Sequence, residues 1–121
     1  MTATRLSLAA ACLAVAWGAP VAAQQFRAVT DKSDFVNLIN GRELTRFGIR
    51  LSVSPGGAIT GTAFTADVTG SWTWSGDYFC RSLKYGNKQL ADNCQTVAVS
   101  GATIRFTADR GAGDTADLTI R

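Results

Sequence analysis

The hydrophobic positions of this chain follow three rhythms, and each predicts a different kind of segment. The first is nearly continuous: Leu6 to Trp17 is mostly apolar, with Arg5 before it and Gly18 and Pro20 after it. A helix of that length falls short of the roughly 30 Å hydrocarbon layer of a bilayer. A basic start, a short apolar run and the small residues Val21-Ala22-Ala23 together match a secretory signal peptide, cleaved near Ala23 with Gln24 as the mature start. The predicted layout is a signal peptide over 1–23 and a single β domain over 24–121. The predicted location is the periplasm or the exterior, with no integral membrane segment once the signal is removed.

The second rhythm is helical. Phe35, Leu38 and Ile39 fall at i, i+3 and i+4 and make one apolar stripe. Asp31 can cap the segment, Asp34 lies in its first turn, and Gly41 is a suitable stop. One short N-terminal helix is expected there.

The third rhythm is alternation. Ile49, Leu51 and Val53 alternate with Arg50 and Ser52, Trp72 and Trp74 with Ser71, Thr73 and Ser75, and Val97 with Val99. Turn residues punctuate the pattern at Pro55-Gly56-Gly57, Gly76-Asp77 and Ser100-Gly101, and a polar segment surrounds Tyr85-Gly86-Asn87. Seven or eight short strands at this spacing predict an all-β fold, a small up-and-down antiparallel meander closing into a barrel or sandwich.

Two hairpins yield registers. Folding Ser71 to Arg81 around Gly76-Asp77 sets Ser75 against Tyr78, Trp74 against Phe79, Thr73 against Cys80 and Trp72 against Arg81. One face then carries Trp72, Trp74, Phe79, Arg81 and Leu83, and its apolar area directs it inward. Folding the last hairpin around a five-residue loop, Arg110 to Asp114, sets Ile104 against Ile120, Phe106 against Leu118 and Arg105 against Thr119. Arg81 is the misfit on the aromatic face. It is expected either to stack on Trp72 and reach the rim, or to line a pocket with Trp72 and Trp74 and hold an anionic group.

Composition narrows the chemistry. Removal of the signal leaves two cysteines, Cys80 and Cys94, and an even pair in an exported chain predicts a disulfide. Cys12 belongs to the discarded segment. The full chain has 12 Lys and Arg, of which Arg5 lies in the signal, so eleven remain against 9 Asp and Glu. These cations are scattered rather than clustered, so no nucleic-acid partner is expected. The chain has no histidine, which excludes Ser-His-Asp and Cys-His catalysis. No metal and no cofactor are expected. Gly111 to Ala116 matches the GxGxxA dinucleotide fingerprint, but Leu118 and Ile120 alternate after it, where that motif requires a helix.

The segments FGIRLSVSPGGAITGTAF, GSWTWSGDYFCR and NCQTVAVSGATIRFTADRGAGD, with WTW-x-x-x-YFCR as the distinctive motif, resemble a group of short exported bacterial proteins without established activity. Some members bear the label dihydrodipicolinate reductase. This chain shows neither that enzyme's nucleotide-binding unit nor its histidine-rich catalytic segment, so the label is not carried over. A looser resemblance, in architecture only, is to lipocalin-like metalloprotease inhibitors.

The leading expectation is a disulfide-stapled β-barrel that binds or interacts and is not an enzyme. Its partner would be a small molecule, an envelope polymer or a secreted protein, met at Trp72, Trp74 and Arg81. The alternative is an inhibitor of a secreted protease, using Gln24 to Thr30 as an inserting arm. The second alternative, an enzyme, would need two aspartates converging in a pocket.

Overall fold

The computed structural model describes residues 25–121. The predicted signal segment with Cys12 and Ala23, and the mature start Gln24, lie outside those residues.

The chain enters through β1 (Arg27–Val29) and turns into α1 (Lys32–Ile39). The Asp31 carboxylate caps the helix by accepting from the Asp34 N–H at 2.8 Å and from Ser33 Oγ at 2.8 Å. Those bonds hold its carboxyl below the usual range, because they favour the charged form. The helix ends at Asn40, and Gly41 takes the left-handed conformation that releases the chain. Phe35 and Ile39 are its buried side chains, as the apolar stripe predicts.

Nine strands follow: β2 (Glu43–Arg46), β3 (Ile49–Val53), β4 (Ala58–Ala63), β5 (Ala66–Ser75), β6 (Tyr78–Tyr85), β7 (Lys88–Gln89), β8 (Asn93–Ser100), β9 (Thr103–Thr107) and β10 (Thr115–Ile120). All but β7 join into a closed antiparallel barrel of eight strands. Each strand pairs with the next. β6 skips over β7 to β8, and β10 returns to β2. Closure removes the exposed strand edges that an open meander would leave. β1 lies along β8 beyond the reach of β6, and β7 folds back onto the end of β6 through Gly86-Asn87. Gly70 permits close approach of β5 and β6, since a side chain there would run into the Ser82 carbonyl.

The β5–β6 hairpin has the register that Gly76-Asp77 predicts, from Ser75 opposite Tyr78 to Trp72 opposite Arg81. The last hairpin does not. Arg105 pairs with Asp117, Phe106 with Ala116 and Ile104 with Leu118, a shift of two residues. The cause is the connection. Ala108 donates to the Asp114 carbonyl, and Asp109 and Arg110 both take left-handed conformations. The five-residue loop therefore runs from Asp109 to Gly113, one residue earlier than expected, which moves each cross-strand partner by two. A shift of two keeps every side chain on its face. It also brings Arg105 onto Asp117 in a two-bond ion pair, at 2.8 and 3.0 Å.

β1 also changes an expectation. Arg27 to Val29 pairs with Val97 to Val99, Val29 is buried, and Arg27 is bonded to Asp34. The stretch proposed as an inserting arm is therefore held in the sheet over those residues.

The core fills the barrel from one end. Phe35 of α1 descends among Trp72, Trp74, Phe79 and Phe106, with ring centroids 5.1–6.3 Å away. This plugged end carries the β5–β6 turn. The opposite end carries Phe47-Gly48, Phe64-Thr65, Gly86-Asn87 and the β9–β10 loop with its single 3-10 turn at Asp109–Gly111, and among the described residues no α-helix covers it.

Candidate functional site

Alternation assigns each strand an inward face, and most inward positions are apolar. Four are not: Arg46 on β2, Arg81 on β6, and Asn93 and Gln95 on β8. Arg46, Arg81 and Gln95 line one cavity of about 200 Å³ in the unplugged half of the lumen. Its remaining wall is aliphatic and aromatic, with Ile49, Leu51, Leu83, Phe106 and Leu118 among its residues. A second cleft, of about 330 Å³, shares Ile49, Leu51 and Leu83 with it and opens toward Tyr85 and Lys88.

Arg81 is the chemically informative member. Its Nη1 donates to the Ala91 carbonyl at 2.7 Å. The described residues contain three ion pairs, Arg27–Asp34, Arg50–Glu43 and Arg105–Asp117, and Arg81 is in none of them. In each of those pairs the carboxylate raises the arginine's pKa. Arg81 goes the other way. Burial lowers its pKa, opposed only by the more distant Asp92 charge. An arginine remains protonated through such a shift. The result is a half-buried cation between an apolar cavity and a polar groove that holds Asp92, with most of its five N–H donors unspent.

The sequence singled out Trp72, Trp74 and Arg81 together, and they do share the inward face. Their surroundings differ. Trp72 is buried, donates its indole N–H to the Ser54 carbonyl at 2.8 Å, and packs edge-on to Phe35. Trp74 is half-buried and lies 5.3 Å from Phe35. The cation over Trp72 is Lys32, at 5.8 Å, rather than Arg81. Of the three, only Arg81 lines the lumen cavity. Arg46 and Gln95 escaped notice in the sequence, although parity was available for both. Gln95 continues the Val97, Val99 alternation, and Arg46 continues from Leu44.

On the outside, Cys80 sits directly opposite Cys94 in the β6–β8 register, and the two are bonded with Cα atoms 3.9 Å apart. The disulfide borders an open polar groove of about 610 Å³ whose lining includes Trp72 and Arg81 as well as Asp92, Asn93, Asp109 and Arg110. Asp109 is engaged there. Its carboxylate accepts from the Asn93 side chain at 2.7 Å, and its backbone N–H donates to Asn93 Oδ1 at 3.0 Å. That exchange organises the β9–β10 loop. Among the described residues, no polar or charged residue is buried and no group of His, Cys, Asp and Glu gathers as metal ligands.

No family model, curated protein or solved structure matches the chain.

Proposed function

We propose that this barrel is a small exported binding module that takes an amphipathic anion into the open half of its lumen. The observation that carries the proposal is the Arg81 guanidinium, half-buried, outside every ion pair and facing aliphatic walls. An isolated cation in such a place is costly unless something of opposite charge joins it. A carboxylate or phosphate head accepts its free donors, with the Gln95 amide beside it. A short apolar tail lies against Ile49, Leu51, Leu83 and Phe106. The volume of about 200 Å³ is below the usual range for drug-sized ligands. At roughly 30 Å³ per small group it admits on the order of seven such groups, which selects a compact molecule. The disulfide fits an oxidising compartment, in keeping with the predicted export.

Hexanoate and hexanol test the reading, because they share a tail and differ in charge. Trp72 lies 5.6 Å from Phe79, which lines the cavity, so tryptophan fluorescence reports occupancy. Hexanoate is expected to bind, and Arg81→Met to weaken it by at least about tenfold, the scale of one charge-assisted hydrogen bond. Hexanol should respond little to the same change. Equal hexanoate affinity in the variant, or no binding at millimolar concentration, would remove the lumen as the site.

A further inference from the structure

The described residues contain three large hydrophobic side chains that are exposed: Phe47 at 92%, Phe64 at 63% and Tyr85 at 38%. All three are on the rim of the unplugged end. Phe47 is in the β2–β3 turn and Phe64 in the β4–β5 turn, and β3 places those turns side by side through its Ile49 to Ala63 pairing. The turns are also bonded to each other, since the Phe64 N–H donates to the Gly48 carbonyl at 2.6 Å. The Phe64 ring lies over Gly48, where a side chain would collide with it. Tyr85 ends β6, two steps along β5 from the same turn. Phe64 is held at φ 57°, a left-handed conformation that bulky residues rarely adopt. A strained aromatic kept in solvent at a turn tip points to a use for that tip.

The charge on this arc is mostly positive. Arg46, Lys84 and Lys88 are exposed and belong to none of the three ion pairs, while Asp67 and, near Arg46, Asp117 are the nearby carboxylates. The acidic residues of the β9–β10 loop, Asp109 and Asp114, lie across the mouth beside Arg110. Exposed aromatics ringed by cations match the interface of an anionic bilayer. Rings there enter the boundary between headgroups and chains, and Lys and Arg meet the lipid phosphates. A second copy of this chain is a poorer occupant, because a two-fold contact would set the same cations against themselves.

We infer that the unplugged end of the barrel docks on anionic lipid surfaces, with Phe47 and Phe64 inserted and Arg46, Lys84 and Lys88 at the headgroups. Arg46 also borders the lumen cavity, but Phe47, Phe64, Lys84 and Lys88 do not, so the two proposals can fail separately.

The test is co-sedimentation of the exported form with vesicles of equimolar phosphatidylglycerol and phosphatidylcholine, compared with phosphatidylcholine alone. Binding is expected for the anionic vesicles only and should fall as salt is raised. The double variant Phe47→Ser, Phe64→Gly should reduce binding by at least about tenfold. Glycine at 64 suits the left-handed backbone, so the variant should melt no earlier than the parent. Arg81→Met should sediment like the parent. Equal binding by the double variant, or no binding to anionic vesicles, would overturn the inference. So would a dimer in light scattering that the double variant abolishes while vesicles stay unbound, since that assigns the rim to a second copy.

Discussion

At one end of the barrel, α1 lowers Phe35 into a cluster of four other rings and leaves it fully enclosed. At the other end, Phe47 and Phe64 point into solvent, and an arginine stands in an apolar cavity. The strands are the same strands, and most residues that face inward at both ends are apolar. The difference is the lid. A helix of eight residues covers one mouth and converts exposed rings into core, and nothing equivalent covers the other. One end thus carries the stability of the barrel. The other is free to carry chemistry that would be expensive in a core, which is where strain and unpaired charge concentrate.

The largest test of this division is a pair of truncations. Phe35→Ala empties the centre of the ring cluster and is expected to cost about 3–5 kcal/mol. Leu83→Ala, on the half-buried wall of the lumen cavity, should cost about 1 kcal/mol, since much of its surface is already wet. Urea unfolding of both variants measures the gap. Equal losses would mean that the two ends share the stability and that the comparison fails.

The plugged end was the more legible in the sequence. Its helix is announced by Asp31 and the Phe35, Leu38, Ile39 stripe, and its hairpin by Gly76-Asp77 between alternating strands. These are local signals, read within a dozen residues. The open end depends on partners far apart in the chain. Arg46, Arg81 and Gln95 meet only because β10 closes on β2 and β8 pairs with β6. Arg81 could be noticed as a misfit on an aromatic face, but its neighbours could not be named before closure was known. β1 and β7, with three and two residues, are too short for alternation to reveal. The two-residue shift of the last hairpin came from left-handed Asp109 and Arg110, which no hydrophobic pattern records.

The disulfide offers the next test. It bolts the β6–β8 seam, where three residue pairs join two strands separated by the β7 excursion. Arg81 is one residue from Cys80 and pairs across the seam with Asn93. The double variant Cys80→Ala, Cys94→Ala is expected to lose about 2–4 kcal/mol. The loss should not be uniform. Hydrogen exchange should quicken first along Arg81 to Asn93 and only later in α1, because of the four rings that Phe35 meets only Phe79 belongs to the seam, while Trp72, Trp74 and Phe106 do not. Hexanoate affinity should fall with it. A helix that exchanges as early as the seam would show that the ends are coupled more tightly than the packing implies.

The finest test lies inside the plugged end, where two tryptophans two residues apart differ in one bond. Trp72 gives its indole N–H to the Ser54 carbonyl and so ties β5 to the turn between β3 and β4. The Trp74 indole N–H is enclosed without an acceptor. Replacing either with Phe removes similar ring area and one donor. Trp72→Phe therefore takes one of two donors from the Ser54 carbonyl, which keeps the Gly57 N–H, and should cost about 1 kcal/mol more than Trp74→Phe, which removes a donor already unpaired. The two variants are compared by urea midpoint at constant m-value, so that only native stability changes. If Trp74→Phe is the costlier, ring packing against Phe35 outweighs the hydrogen bond. The plug would then be held by its aromatic contacts alone.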